Sequence, residues 1–504
     1  MLRGRLALWA GILMFPPLGL MLWWMRRGVG PVARIAGTLG ICLVAVVELF
    51  AVYGMRLEWN GALKVSGVSF ETRAQRDARL EASRAWQRAP AAALVETARA
   101  VTAPAPARTN EHVTPAYWTD FRGPNRAGVY AETEIDTDWP ASGLPQRLWK
   151  QPVGGGYASF TVAEGRAYTI EQRRGREAIT AYDVENGREL WAFAYPALFD
   201  EIMGGAGPLA TPVYHEGLIY SLGAKGDLYC LWANTGKPKW SKNILADNAT
   251  RNQQWGMAAS PLIVDRMVVV TPGGAPGKSI VAYDRLSGEP VWRALDDRAG
   301  YTSPILATLA GRRQIVWISA QRAVGLAPEN GALLWEYAFP AQMDMNCSQP
   351  VVVDDASVLL SSSPGPGAAL LEITKTGEAY AARAVWQNNR MKNKFNSSVL
   401  YQGYIYGFDD AILACIDAKT GELKWKGGRY GYGQLLLAGG ALVVVTEEGE
   451  VVLVRATPDK HQELMRFSAV EGRTWNIPAI DNGLLLVRNS SEMACFRLGR
   501  AAGK

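Results

Sequence analysis

Three histidines and five cysteines are the side chains of this 504-residue sequence best suited to hold a transition metal or act as nucleophiles. His112, His215 and His461 lie far apart. Cys42, Cys230, Cys347, Cys415 and Cys495 are scattered, with no C-x-x-C pair and no haem-attachment motif. A structural zinc needs four such ligands at short, defined spacing, so the pattern argues against a His/Cys metal centre and against a disulfide framework. A Ser/His/Asp constellation is equally unsupported, because only His215 and His461 fall in the repetitive part of the chain. "GAPGKS" (274–279) echoes a phosphate-binding loop, but it lacks the required spacing and leads into the strand-like "SIVAY" where such a loop opens a helix. "GGG" at 154–156 reads as turn material.

The elements that would position any site are set by a repeat. Tryptophans fall at Trp149, Trp191, Trp240, Trp292, Trp335, Trp386 and Trp425, a spacing of about 40 to 50 residues that marks a propeller or a solenoid. Five of them follow a glycine by four residues: Gly187, Gly236, Gly288, Gly331 and Gly421. Asp183, Asp284 and Asp417 open the fullest versions, "DVENGRELW", "DRLSGEPVW" and "DAKTGELKW". Each interval starts with a small polar residue and proline ("ATP", "ASP", "TSP", "SQP"). A β-rich run such as "EGLIYSL" follows, then a third strand such as "SIVAYD", then the glycine turn and the Trp strand. Period-two alternation with tight turns is strand grammar, and four short antiparallel strands per unit make a propeller blade. The expectation is all-β. Each glycine serves a turn at positive φ, each Asp accepts backbone N–H groups across that turn, and each Trp wedges between blades with its indole N–H on a carbonyl. "RLWKQP" (147–152) has no strands of its own kind before it, and the C-terminal strands have no closing partner, so the two should pair and close eight blades. The fifth interval breaks the frame, with Gly377 nine residues before Trp386, and leaves a count of seven open.

Ahead of the repeat, Leu6–Met25 is uncharged and flanked by Arg3, Arg5, Arg26 and Arg27, and Ile35–Tyr53 is apolar except for Glu48. Both are long enough to cross a bilayer. They predict a transmembrane helical hairpin (6–25 and 35–53) contacting membrane lipid, with Arg26, Arg27 and Arg34 at a cytoplasmic turn, Glu48 at the interface and the repeat on the extracytoplasmic side. The expected organisation is a membrane anchor at 1–54, a juxtamembrane segment and Ala/Pro-rich tether at 55–116, the propeller at 117–499 and a tail at 500–504. The net charge of +6 is modest and the repeat mixes both signs without a basic run, so a nucleic-acid footprint is not expected.

The recurring Asp-x-x-[Thr/Ser/Asn]-Gly-x-x-x-Trp frame resembles that of pyrroloquinoline-quinone-like (PQQ-like) propellers, over about 117–499. Two groups share it: quinoprotein alcohol dehydrogenases, and binding propellers such as the lipoprotein of the outer-membrane β-barrel assembly machine. "DFRGPNRAGVY" (120–130) is similar to the opening of bacterial quinone-binding-like repeat proteins. The first resemblance implies PQQ and Ca²⁺ held by a Glu/Asn/Asp set over the propeller axis, beside a disulfide of adjacent cysteines. This chain has no Cys-Cys pair, and its candidates are Asp344 and Asn346, Asn393 and Asn396, and Asp200 and Glu201. The second implies a cofactor-free scaffold for a protein or small-molecule ligand, which the N-terminal hairpin would place at the bacterial inner membrane facing the periplasm. Aligning the repeats places Tyr157, Trp255, Tyr301, Asn346, Asn396, Tyr432 and Trp475 around one channel mouth, with Arg251 and Lys394 nearby. The scaffold reading is preferred over a PQQ-dependent dehydrogenase acting on alcohols or sugars, and no catalytic or metal residue is assigned.

Overall fold

Residues 147–152 and 492–497 do pair, and that pairing closes a ring of eight four-stranded blades, of which the one at 434–468 gains Val129–Tyr130 as a fifth, parallel strand. The computed structural model describes residues 16–62, 64–98, 117–137, 143–201, 203–274 and 276–499. The chain divides into two units, 1–59 with 63–79, and 60–62 with 80–504.

In the smaller unit, helix α1 (Pro16–Trp24) is followed by helix α2 (Pro31–Ala51). The Trp23 indole donates to the Arg34 carbonyl at 3.1 Å and the Trp24 indole to the Thr38 hydroxyl at 3.1 Å. Of the two, α2 is long and apolar enough to cross a membrane, over Pro31–Phe50. Residues 6–15 of the first expected span lie outside the described residues. Strands Met55–Trp59 and Val65–Phe70 form an antiparallel pair. Helix α3 (Arg73–Ala98) begins in this unit, continues from Leu80 in the larger one and occupies part of the expected tether; residues 99–116 lie outside the described residues.

The larger unit holds the propeller. Blades 1 to 7 are meanders in sequence order, at 161–195, 213–243, 262–294, 305–338, 351–388, 399–429 and 434–468. Blade 8 consists of Ala479–Asp481, Leu484–Arg488 and Glu492–Arg497, with Gln146–Pro152 as its outermost strand. Inner strands are buried on both faces, as in Leu218–Leu222, whereas the outermost strand Glu189–Tyr195 alternates. The apolar core is therefore a series of interfaces between neighbouring blades.

The repeat frame is the device at those interfaces. The indoles of Trp149, Trp191, Trp240, Trp292, Trp386 and Trp425 donate to carbonyls of the following blade: Val184 (2.8 Å), Ala233 (2.9 Å), Arg285 (3.0 Å), Pro328 (2.9 Å), Ala418 (3.2 Å) and Thr457 (2.7 Å). For all of these except Trp425, which packs with His461, the turn glycine of that following blade lies on the indole ring. A Cβ on Gly187 would stand 2.7 Å from Trp149, and one on Gly331 2.6 Å from Trp292. Each Asp makes the turn that presents its glycine, as where Asp284 Oδ1 accepts the Leu286 and Ser287 amides at 3.0 Å. Burial would raise the Asp284 carboxyl, but these hydrogen bonds hold it below its usual value.

Blade 5 accounts for the broken frame. Its last two strands, Gly367–Thr376 and Ala379–Asn388, are ten residues each, so a long hairpin replaces the tight Asp–Gly turn. Trp335, which faces it, gives its indole to Gln314 Oε1 of its own blade at 2.6 Å. The blade is complete, and the count is eight.

Gly331 (φ +72°) is both left-handed and pressed on the buried Trp292, whereas Gly217 (φ +76°) has open space where a Cβ would go. Gly217→Ala should cost about 1 kcal/mol from its φ alone. Gly331→Ala should cost about 2–4 kcal/mol because an indole must move as well. Denaturant melts of the two variants check the difference.

Candidate functional site

A polar residue at the lead-in of a blade, which precedes a proline at Thr211, Ser260, Ser303 and Gln349, joins one blade to the next. The Ser159 amide donates to Thr211 Oγ1 (2.9 Å), the Thr211 amide to Ser260 Oγ (3.0 Å), and the Ser260 amide to Ser303 Oγ (2.9 Å). Gln349 Nε2 donates back to the Ser303 carbonyl (3.3 Å), and the Gln349 amide donates forward to Ser397 Oγ (3.0 Å). Gln434 Nε2 spans the carbonyls of Phe395 (3.0 Å) and Trp475 (2.9 Å), and Ser159 Oγ reaches the Ile477 carbonyl. The belt links all eight blades, and its side chains are buried. A proline beside it has no N–H to leave unsatisfied, which accounts for the small-polar-Pro pattern.

Past the belt, on the side toward which the innermost strands run, the segment 117–130 crosses the ring. Its backbone accepts the amides of Val162 (onto Trp118, 2.8 Å), Tyr214 (onto Thr119, 2.9 Å) and Leu437 (onto Gly128, 2.8 Å). Arg126 pairs with Asp120 (2.7 Å) and donates to the carbonyls of Ser260 (3.2 Å), Pro304 (2.8 Å) and Pro261. Arg122 donates to the carbonyls of Ser397 (3.3 Å) and Ser398 (2.9 Å), and burial pushes its guanidinium down to about 9. "DFRGPNR" is thus a structural plug with two buried arginine bolts. A cavity of about 530 Å³ lies beside it, lined by Arg122, Asn125 and the inner strands of blades 4 to 6.

The other side, just ahead of the belt, is the channel mouth. Residues two positions before a belt residue face one another there. Tyr157 packs on Trp475 (5.4 Å between ring centroids), Trp475 on Phe395 (4.7 Å) and Phe395 on Tyr432 (6.3 Å). Trp255 and Tyr301 form a second pair (5.7 Å). Asn346 and Asn396 do not join these rings. They are buried, and their amides donate to the carbonyls of Ser319 (2.7 Å) and Phe339 (3.0 Å), and of Gly433 (3.0 Å), respectively. Arg251 is exposed.

Charged groups complete the mouth. The Arg473 guanidinium lies 4.3 Å from the Trp475 ring, donates to the carbonyls of Met203 (3.0 Å) and Gly204 (3.1 Å), and reaches the Tyr157 hydroxyl. Lys394 lies 5.3 Å from the Phe395 ring and 5.2 Å from the Tyr432 ring, and burial lowers its ammonium pKa. Glu447 accepts the Trp475 indole N–H (2.9 Å) and the Tyr432 amide (3.2 Å). Sequence reading named Lys394 as a neighbour of the mouth but missed Phe395, Glu447 and Arg473. The offset of two from the belt residue would have found Phe395. Glu447 and Arg473 sit on turns outside the repeat register and carry no such signal.

PQQ and Ca²⁺ do not fit this donor set. Asp344 is paired with Arg298 (3.1 Å), and Glu201 accepts the amides of Met203 (2.9 Å) and Gly204 (2.5 Å). Asn393 is bound to the hydroxyls of Ser348 (3.2 Å) and Ser398 (2.8 Å) and to the Phe408 amide (3.2 Å). The described residues gather no group of three or more His, Cys, Asp or Glu side chains, and all five cysteines are free. A hard dication needs converging oxygens with net negative charge.

Known proteins resemble this arrangement at several levels. The family described as outer membrane protein assembly factor BamB matches residues 175–427. Outer membrane protein assembly factor BamB of Burkholderia pseudomallei (strain K96243) is 23% identical over 334 residues, covering 61% of this chain and 76% of that protein. The crystal structure of BamB from Moraxella catarrhalis superposes with a TM-score of 0.52 at 16% identity, over 72% of this chain and all of that one. Quinohemoprotein alcohol dehydrogenase from Comamonas testosteroni gives 0.55 at 12% identity, over 79% of this chain and 84% of that one. At such identities the two structures share the fold.

Asp481 tests the plug. It accepts the Trp118 amide (3.4 Å), and burial, with Glu132 nearby, raises its carboxyl to about 7. An acid with a raised folded pKa binds more protons when native than when unfolded. Its stabilising effect is therefore complete near pH 4 and fades as pH rises to 7. Asp481→Asn keeps the acceptor without the charge. Its melting temperature should match wild type at pH 4 and exceed it by about 2 °C at pH 8.

Proposed function

Because the chain belongs to the propeller family described as outer membrane protein assembly factor BamB, we propose that it is an extracytoplasmic binding scaffold acting in envelope protein assembly. The observation that carries this reading is the channel mouth. Its aromatic and charged groups converge at one end of a ring whose other end is bolted by the arginine plug. Aromatic rings beside Lys394, Glu447 and Arg473 offer stacking area and backbone-binding groups, which suit a peptide segment.

The N-terminal segment holds the propeller at the inner membrane. Helix α2 supplies one span over Pro31–Phe50, and α1 extends the apolar segment that would supply the second half of a transmembrane hairpin. Arg26, Arg27 and Arg34 then lie at the cytoplasmic turn and the propeller faces the periplasm. The segment 55–116 joins anchor to propeller.

Cross-linking from a photoreactive residue at Trp255 or Tyr301, in cells, should capture an envelope protein that co-purifies with wild type. Capture of none would reject the scaffold reading. The propeller should be digested by protease added to spheroplasts; full protection would reverse the topology. Adding PQQ and Ca²⁺ to purified protein should give no dye reduction with short alcohols or sugars, and robust turnover would install the dehydrogenase reading instead.

A further inference from the structure

The turn Asn60–Ala62 belongs to the propeller unit, although it is separated from the first blade by some hundred residues of sequence. The Gly61 amide donates to Glu447 Oε1 at 2.6 Å, and Lys394 Nζ donates to the Gly61 carbonyl. Gly61 is buried, and a Cβ on it would fall onto the Tyr432 ring. Both bonds engage the main chain alone. The same Glu447 oxygen also takes the Trp475 indole N–H, so one carboxylate ties the turn to the aromatic wall.

We propose that Lys394 and Glu447 form a receptor for a glycine-containing peptide turn, occupied here by Asn60–Ala62 as an internal ligand that an envelope protein's hairpin tip displaces. This rests on the scaffold reading and gives it a site and a ligand class. Three features support it. Recognition of the N–H and the C=O of a single residue depends on no side chain of the ligand, so any partner offering the same turn satisfies it. The Tyr432 ring lies against the turn and excludes a Cβ at its centre, so glycine is selected sterically. Lys394 and Glu447 are both buried, and a buried ammonium and carboxylate need partners of the kind the turn supplies.

The test uses full-length protein in detergent and a fluorescein-labelled peptide carrying residues 56–66, read by anisotropy. Gly61→Val expels the internal turn and should bind the peptide at least tenfold tighter than wild type. Adding Glu447→Gln or Lys394→Met should then weaken binding at least tenfold, and a peptide with valine at the central glycine should not bind. Equal affinity of wild type and Gly61→Val, or indifference to both second substitutions, overturns the proposal. Hydrogen exchange on wild type and Glu447→Gln gives a reading that does not need the Gly61 variant to fold. The Gly61 amide should be protected in wild type and exchange at least tenfold faster in Glu447→Gln, with blade amides unchanged. Free exchange in wild type overturns the proposal equally. Envelope proteins that still cross-link to Trp255 or Tyr301 while the peptide fails would sink the turn receptor and leave the scaffold reading standing.

Discussion

An indole N–H given to a carbonyl of the next blade, with a glycine laid flat on the ring, is the contact from which the rest of this propeller follows. A four-stranded blade cannot bury both faces alone, so stability depends on how closely each blade meets its neighbour. The turn glycine must be left-handed to form the turn and bare to admit the ring, and these demands coincide at Gly187, Gly236, Gly288, Gly331 and Gly421. The Asp at the head of the frame acts one step removed, fixing the turn that presents the glycine. Chemistry is therefore absent from the most repetitive residues of the chain, and the site lies at positions where the repeat is free to vary.

The belt explains why the channel can have two different ends. Side-chain hydroxyls and amides hold the innermost strands together at one level. What lies on either side can then specialise without loosening the ring. On one side is a strained segment: Arg122, Asn125 and Arg126 all have positive φ. Such conformations persist where surroundings over-determine them, and here the determinants are the guanidinium bonds to carbonyls of blades 3, 4 and 6. On the other side the same ring gathers aromatic rings and charges.

How much of this could be read in the sequence depends on the range of the interaction. The Trp, Gly and Asp positions, the eight-blade count and the pairing of 147–152 with the C-terminal strands follow from periodicity, because one local device recurs. Blade 5 looked defective because its hairpin is longer, a difference that displaces one glycine and redirects one indole without removing a strand. The mouth was only partly legible. Tyr157, Tyr301, Tyr432 and Trp475 share an offset from the belt. Asn346 and Asn396 lie one residue off that offset, and a shift of one turns a side chain from the channel into the backbone network. Glu447, Arg473 and Gly61 come from turns and from a distant segment, so no period marks them.

The seam where the ring closes shows the same limit most sharply. The strand Gln146–Pro152 meets blade 1 beside Glu171, Arg173, Tyr182 and Glu189, and Arg84 of α3 enters among them. Arg84 contacts Glu189 (3.2 Å), Gln151 Oε1 (3.2 Å) and the Tyr182 hydroxyl (3.1 Å). Arg173 contacts Glu171 (2.5 Å) and Glu189 (2.6 Å). Burial alone would raise the Glu171 carboxyl, but Arg173, Arg84 and Arg488 hold it down at about 2, so it stays ionised inside the protein. Replacing one member of such a network leaves its partner charged and unpaired, whereas an apolar seam would tolerate many pairings. The other seven junctions join blades that are contiguous in sequence and need no such discrimination. At the eighth, the C-terminal strands of blade 8 meet blade 1 from more than three hundred residues away. Directional, buried charge holds strand Gln146–Pro152 and α3 against blade 1, and Arg488 carries the same network to the C-terminal strands by donating to Thr169 Oγ1 at 2.6 Å and to the Ile170 carbonyl at 3.3 Å.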